Sequence, residues 1–110
     1  MAIAYKVLGQ AAPADTNNAN LITVGAGKSQ VISTLVVANT TATAATCRVF
    51  ARIAGAAAAA SNAVLYDTSI PANSTASFTL GISLAATDIL TVRSGTANAL
   101  TFTAFGMEQS

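Results

Sequence analysis

Gln30-Val31-Ile32-Ser33-Thr34-Leu35-Val36-Val37-Ala38-Asn39 is the stretch that decides the fold. Val31, Ile32, Thr34, Val36 and Val37 are branched at Cβ. Such side chains lose rotamer freedom against the preceding turn of a helix, yet pack well on a pleated surface. The stretch therefore predicts a strand. Both of its faces are largely apolar, as expected for a central strand covered on both sides.

Outward from this strand the chain alternates short apolar runs with turn residues. On the N-terminal side, residues 5–8 predict a first strand, with Tyr5 and Val7 on one face and Lys6 on the other. Residues 9–19, with Pro13 and Asn17-Asn18, predict a loop long enough to cross between sheets. Residues 21–24 predict a second strand, and Gly25-Ala26-Gly27 a turn. On the C-terminal side, residues 39–44 read as a polar turn. Residues 46–53 alternate, placing Cys47, Val49, Ala51 and Ile53 on one face and Arg48, Phe50 and Arg52 on the other. Residues 55–62 are alanine-rich and too short to nucleate a helix alone, so a surface loop with at most one helical turn is expected. Further strands are expected at 63–67, at 76–80 with Phe78 and Leu80 inward, and at 89–93. Residues 84–88 read as a connector with at most a helical turn. A last strand at 100–105 places Leu100, Phe102 and Ala104 inward and Thr101, Thr103 and Phe105 outward. About eight short antiparallel strands without an amphipathic helix define an all-β chain, a single small β-sandwich or jelly-roll-like domain spanning residues 1–110.

Composition narrows the function. The 110 residues include five Lys or Arg, four Asp or Glu, and no His or Trp. Without histidine, and with carboxylates dispersed, no general base, nucleophile pair or metal cluster is expected. The expectation is a protein that is not an enzyme and has no cofactor or small-molecule substrate. A net charge of +1 supplies no field to draw nucleic acid or an anionic membrane. No apolar run is long enough for a membrane helix, and the N-terminus lacks the pattern of a secretion signal. Cys47 cannot form an internal disulfide and is expected to be a buried small hydrophobe.

Several motifs have simpler readings. Gly25-Ala26-Gly27-Lys28-Ser29 ends like a phosphate-binding loop, but Ile22 stands where that motif needs a further glycine. A strand follows, where the motif needs a helix. A β-turn is expected. Asn39-Thr40-Thr41 and Asn73-Ser74-Thr75 match the glycosylation pattern but fit turns, where Asn hydrogen-bonds nearby backbone. Arg48, Phe50 and Arg52 would face outward together. Arg and aromatic residues are enriched at protein interfaces, so this face is either a contact surface or a pleat under a covering loop. Phe105 supplies a second outward aromatic. Charged residues make up 8% of the chain, against about 25% in ordinary soluble domains. A surface so neutral is expected to be partly covered by other protein.

The succession Ala4-Tyr5-Lys6-Val7-Leu8-Gly9-Gln10, Leu21-Ile22-Thr23-Val24, residues 31–39, Arg48-Val49-Phe50-Ala51-Arg52-Ile53-Ala54-Gly55, Leu80-Gly81-Ile82-Ser83-Leu84-Ala85-Ala86-Thr87-Asp88 and Phe102-Thr103-Ala104-Phe105-Gly106 resembles small virion structural proteins of tailed bacteriophages, including cyanophages. The resemblance implies a capsid decoration (cement) protein or a tail-associated β-sandwich, made in the host cytoplasm and located in the virion. Its partners would be other copies of itself, a trimer being favoured, and the major capsid protein or tail proteins. The alternative role within the particle is a tail, neck or fibre-base component. A host-surface or carbohydrate-binding module is the reading from another class, weakened by the lack of tryptophan. The family carries no catalytic residues.

Overall fold

The computed structural model describes residues 2–110. Among the described residues, nine strands form two antiparallel sheets. The first sheet orders β1 (Ile3–Ala11), β9 (Leu100–Gln109), β3 (Ser29–Asn39) and β6 (Thr75–Phe78), with β7 (Ile82–Leu84) also on β3. The second orders β2 (Ala19–Thr23), β8 (Ile89–Ser94), β4 (Ala45–Arg52) and β5 (Ala63–Ile70).

β6 and β7 are two halves of one interrupted edge strand. β6 pairs with Leu35–Ala38 of β3 and β7 with Gln30–Ile32. The break between them contains Gly81 in the left-handed region, φ 62°. It lies opposite Ser33, the extra residue of a bulge in β3. Counted as one strand, they leave eight strands in two sheets, connected as in a jelly roll.

The bulge at Ser33 decides which residues of β3 face the core. One inserted residue shifts the alternation. Ile32 before it and Leu35 and Val37 after it are buried, whereas Val31 and Val36 are half-buried on the outer side. β3 is thus central in its sheet, but the expected cover on both faces is a correction: the chain covers one face only.

The core is filled from both sheets by Ile32, Leu35, Val37, Phe102 and Ala104 on one side and Ile22, Cys47, Val49, Leu90 and Val92 on the other. Val24, Ile70, Ala99 and Leu100 close its ends. A fully buried Leu, Ile or Phe is worth roughly 1.5–3 kcal/mol relative to exposure, and this cluster supplies the driving force for sandwich closure. Two inward expectations are corrected. Ile53 is exposed because the strand ends at Arg52 and the chain enters a 3₁₀ turn (Ile53–Gly55), with Ala54 at φ 52°. Leu80 is exposed because β6 stops at Phe78. The alanine-rich segment carries that turn and a second 3₁₀ turn, Ala60–Asn62.

Candidate interaction surface

Arg48, Phe50 and Arg52 do share the outer face of the second sheet, opposite Cys47 and Val49. Their own chain occupies that face. Phe50 is only 4% exposed and lies outside the central core cluster. Its ring meets Tyr66 edge-on, with centroids 6.5 Å apart. Thr91 stands beside it on β8 and Ala63 on β5, and the second 3₁₀ turn lies against β4. The expectation that Phe50 is an exposed contact residue is therefore corrected. The outward phase is right, and the alanine-rich segment supplies the cover.

Arg52 holds that cover in place, and Arg48 fixes the adjacent β5. Arg52 donates from Nε to the Ala56 carbonyl at 2.6 Å and from Nη2 to the Gly55 carbonyl at 3.1 Å. Its Nη1 reaches Asn20 Oδ1 and Thr91 Oγ1, both at 3.2 Å. Arg48 grips Asp67 with two bonds, Nε to Oδ1 at 2.7 Å and Nη2 to Oδ2 at 3.1 Å. Its guanidinium also lies 4.1 Å from the centre of the Tyr66 ring. The hydrogen bond from Arg48 holds the Asp67 carboxyl below its ordinary pKa, and the same bond raises that of Arg48. Thr46, Arg48, Asp67, Arg93 and Gly95 line a polar hollow of about 170 Å³ here. Arg93 is tied there through Nε to the Thr16 carbonyl at 2.7 Å.

Phe105 is where the sequence places it, outward and 39% exposed. The pairing register assembles a surface around it on the first sheet. Val7, Phe105 and Thr34 form one row across β1, β9 and β3. Tyr5, Met107 and Val31 form the next, and Thr103 and Val36 lie in the row beyond. Tyr5 is 82% exposed. A shallow apolar groove of about 230 Å³ runs between Tyr5, Val31, Ser33, Gly106 and Met107. Sequence reasoning misses Tyr5, Val7, Val31, Val36 and Met107 as contact residues. The signal that could have found them is the apolar character of both faces of β3, which calls for a cover that this chain does not provide.

The charged groups of the first sheet gather at one end, on the opposite side. Glu108 accepts from Gln30 Nε2 at 2.8 Å and pairs with Lys6 Nζ at 3.2 Å and Lys28 Nζ at 3.9 Å. The bond from Gln30, then that from Lys6, lowers the Glu108 pKa. The outer face is thereby left without charge in its central rows.

The remaining motifs are structural. Gly25 to Lys28 form a turn closed by the Lys28 amide on the Gly25 carbonyl at 3.2 Å, with Gly27 at φ 75° and a strand following. Asn39 is buried. It donates to the carbonyls of Thr43 and Ile70 and accepts from the amide and hydroxyl of Thr41. Cys47 is buried in the core, and desolvation pushes its thiol pKa up to about 11. No three His, Cys, Asp or Glu side chains come together among the described residues. No protein-family model matches this chain, and no curated protein or solved structure matches it significantly.

Proposed function

We propose that this protein is a structural assembly unit of a virus particle, acting as a decoration protein on the outside of the capsid. The observation that carries this reading is the uncovered apolar outer face of the first sheet, built from Tyr5, Val7, Val31, Val36, Phe105 and Met107. In a chain with so few charges, that face gains most by being buried against another protein. Jelly rolls recur in viral capsid domains, and the sequence resembles phage virion proteins. Both are arguments by likeness and add to the surface argument without replacing it.

In this reading the protein does no chemistry. It binds other copies and the major capsid protein, and it prefers the assembled shell to free subunits. Each bound copy then stabilises the shell by mass action. A lectin-like role has less support: Tyr66 is engaged by Arg48, which leaves Tyr5 as the one freely presented tyrosine ring.

The test is to image labelled copies on particles and to challenge particles lacking the protein. A decoration protein leaves assembly and tails intact, and its loss lowers the temperature of DNA release. Phe105→Asp and Val36→Asp should lower occupancy sharply while the isolated protein stays folded, because the charge is buried unpaired only at the contact. Normal heads with missing or defective tails would move the protein to the tail. Full occupancy by both variants would overturn the assigned face.

A further inference from the structure

The structure has four exposed strand edges, and three are blunted. The β6–β7 edge is broken at Gly81. β2 is five residues long with a register shift between Asn20 and Ile22. β5 carries shifts in its pairing and Asp67 at φ 52°. β1 differs. From Ile3 to Val7 its register against β9 is unbroken, and no described strand pairs with its other side. Ile3, Tyr5 and Val7 are 54%, 82% and 50% exposed. Its single charge, Lys6, is turned to Glu108. A regular apolar edge of this kind is a template for another strand.

The direction of the free backbone groups is determined. Ala2 and Ser110 exchange both backbone hydrogen bonds, at 3.0 and 2.9 Å. Antiparallel pairs alternate between bonded and non-bonded residues. Ala4 and Lys6 therefore spend their amides and carbonyls on β9, while those of Ile3, Tyr5 and Val7 point to the open edge.

We propose that β1 pairs antiparallel with β1 of a second copy, about a twofold axis through Tyr5. In this register Tyr5 faces Tyr5, and Ile3 faces Val7 of the second copy. All three outward residues find bonded partners across the axis, and their side chains form an apolar row on one face. Lys6 faces Ala4. The neighbouring register, centred on Lys6, sets two lysines directly opposite each other, which is unfavourable. A register centred on Val7 runs into the shift between Val7 and Gly9. A register centred on Ala4 pairs Ile3 with Tyr5 but gives Val7 no described partner, so self-complementarity selects both the occupant and the register. Two first sheets join into one continuous sheet, a twofold arrangement in place of the trimer expected from the sequence. The pairing does not depend on the virion role; only the dimer's use as a bridge between shell subunits rests on it.

The contact is narrower than a standard interface of about 1,600 Å², so the dimer should form at micromolar protein and above. Sedimentation over a wide concentration range tests it. The wild type should show a monomer–dimer equilibrium. Ile3→Lys and Val7→Glu should each weaken dimerisation at least about tenfold. The double variant should regain most of it, because the introduced ammonium of one copy then meets the introduced carboxylate of the other across the axis. Tyr5→Pro removes an amide that β9 does not use, and should abolish the dimer while a thermal melt shows the fold retained. A wild type that stays monomeric, a trimer, or a double variant no better than the singles would overturn the pairing. Particle binding is read separately. A monomer that decorates particles refutes the pairing alone, and a dimer that binds none refutes the virion role alone.

Discussion

Replacing Phe50 and Phe105 by alanine separates two outward aromatics that look alike in the sequence. Phe50 is 4% exposed, between Tyr66 and the alanine-rich segment that Arg52 anchors. Removing a buried phenyl ring costs about 3–5 kcal/mol, less where the surroundings collapse into the space. The cover over Phe50 is a loop of small residues and can settle, so about 3 kcal/mol is expected. At about 4–8 °C per kcal/mol for a domain near this size, the melting temperature should fall by roughly 12–24 °C. Phe105 loses much less, because its ring is already 39% exposed and lies on an open face. Its replacement should cost under about 1 kcal/mol and a few degrees. The assay is thermal and urea unfolding followed by circular dichroism. Equal losses for the two variants, or a Phe50→Ala protein that melts with the wild type, would refute the claim that the second sheet is covered by its own chain.

Further outcomes follow from the charges, the thiol and one close backbone approach. Asp67 and Glu108 have depressed pKa values in the folded state, so their contribution is present above the ordinary carboxylate pKa and is lost as pH falls through the folded values. Denaturant midpoints should drop below about pH 4, with Asp67→Asn and Glu108→Gln each flattening that drop. With its pKa near 11, Cys47 should be ionised in about one molecule in a thousand at about pH 8. Thiol reagents should react only on unfolding, and fast labelling of the native protein would contradict the core assignment. Gly106→Ala should destabilise strongly, since a Cβ there would collide with the Val31 carbonyl across the β3–β9 ladder. An unchanged urea midpoint would show that the ladder has slack.

What is legible in the chain, and what is not, divides along the range of the interactions. β-Branching in β3 and alternation in β9 are local, so the strands and the inward set Leu100, Phe102 and Ala104 are readable. The bulge at Ser33 is a property of pairing with β9, and no residue near it signals the phase change. The cover on Phe50 is hidden because alanine carries no periodic pattern, and because Arg52 fixes the segment through backbone carbonyls. Phe105 is recognisable alone. Its neighbours Tyr5, Val7 and Val36 join it only through register between strands far apart in sequence.

The bonds between Ala2 and Ser110 set the order of events when the chain is made. β1 is made before every other strand of the sandwich and its partner β9 after them, so the first sheet cannot close until β9 has been made. At roughly 5–20 residues per second, β1 waits several seconds with both edges unpaired. Joining β1 to β9 also closes a loop that contains all the other strands of the sandwich, which places the fold among slow, non-local folders. The same apolar strand that is free at one edge in the finished molecule is therefore free at both during its making. Crowded nascent chains have their best opportunity to pair wrongly there, and a factor that holds unfolded chains should raise the yield most by shielding β1.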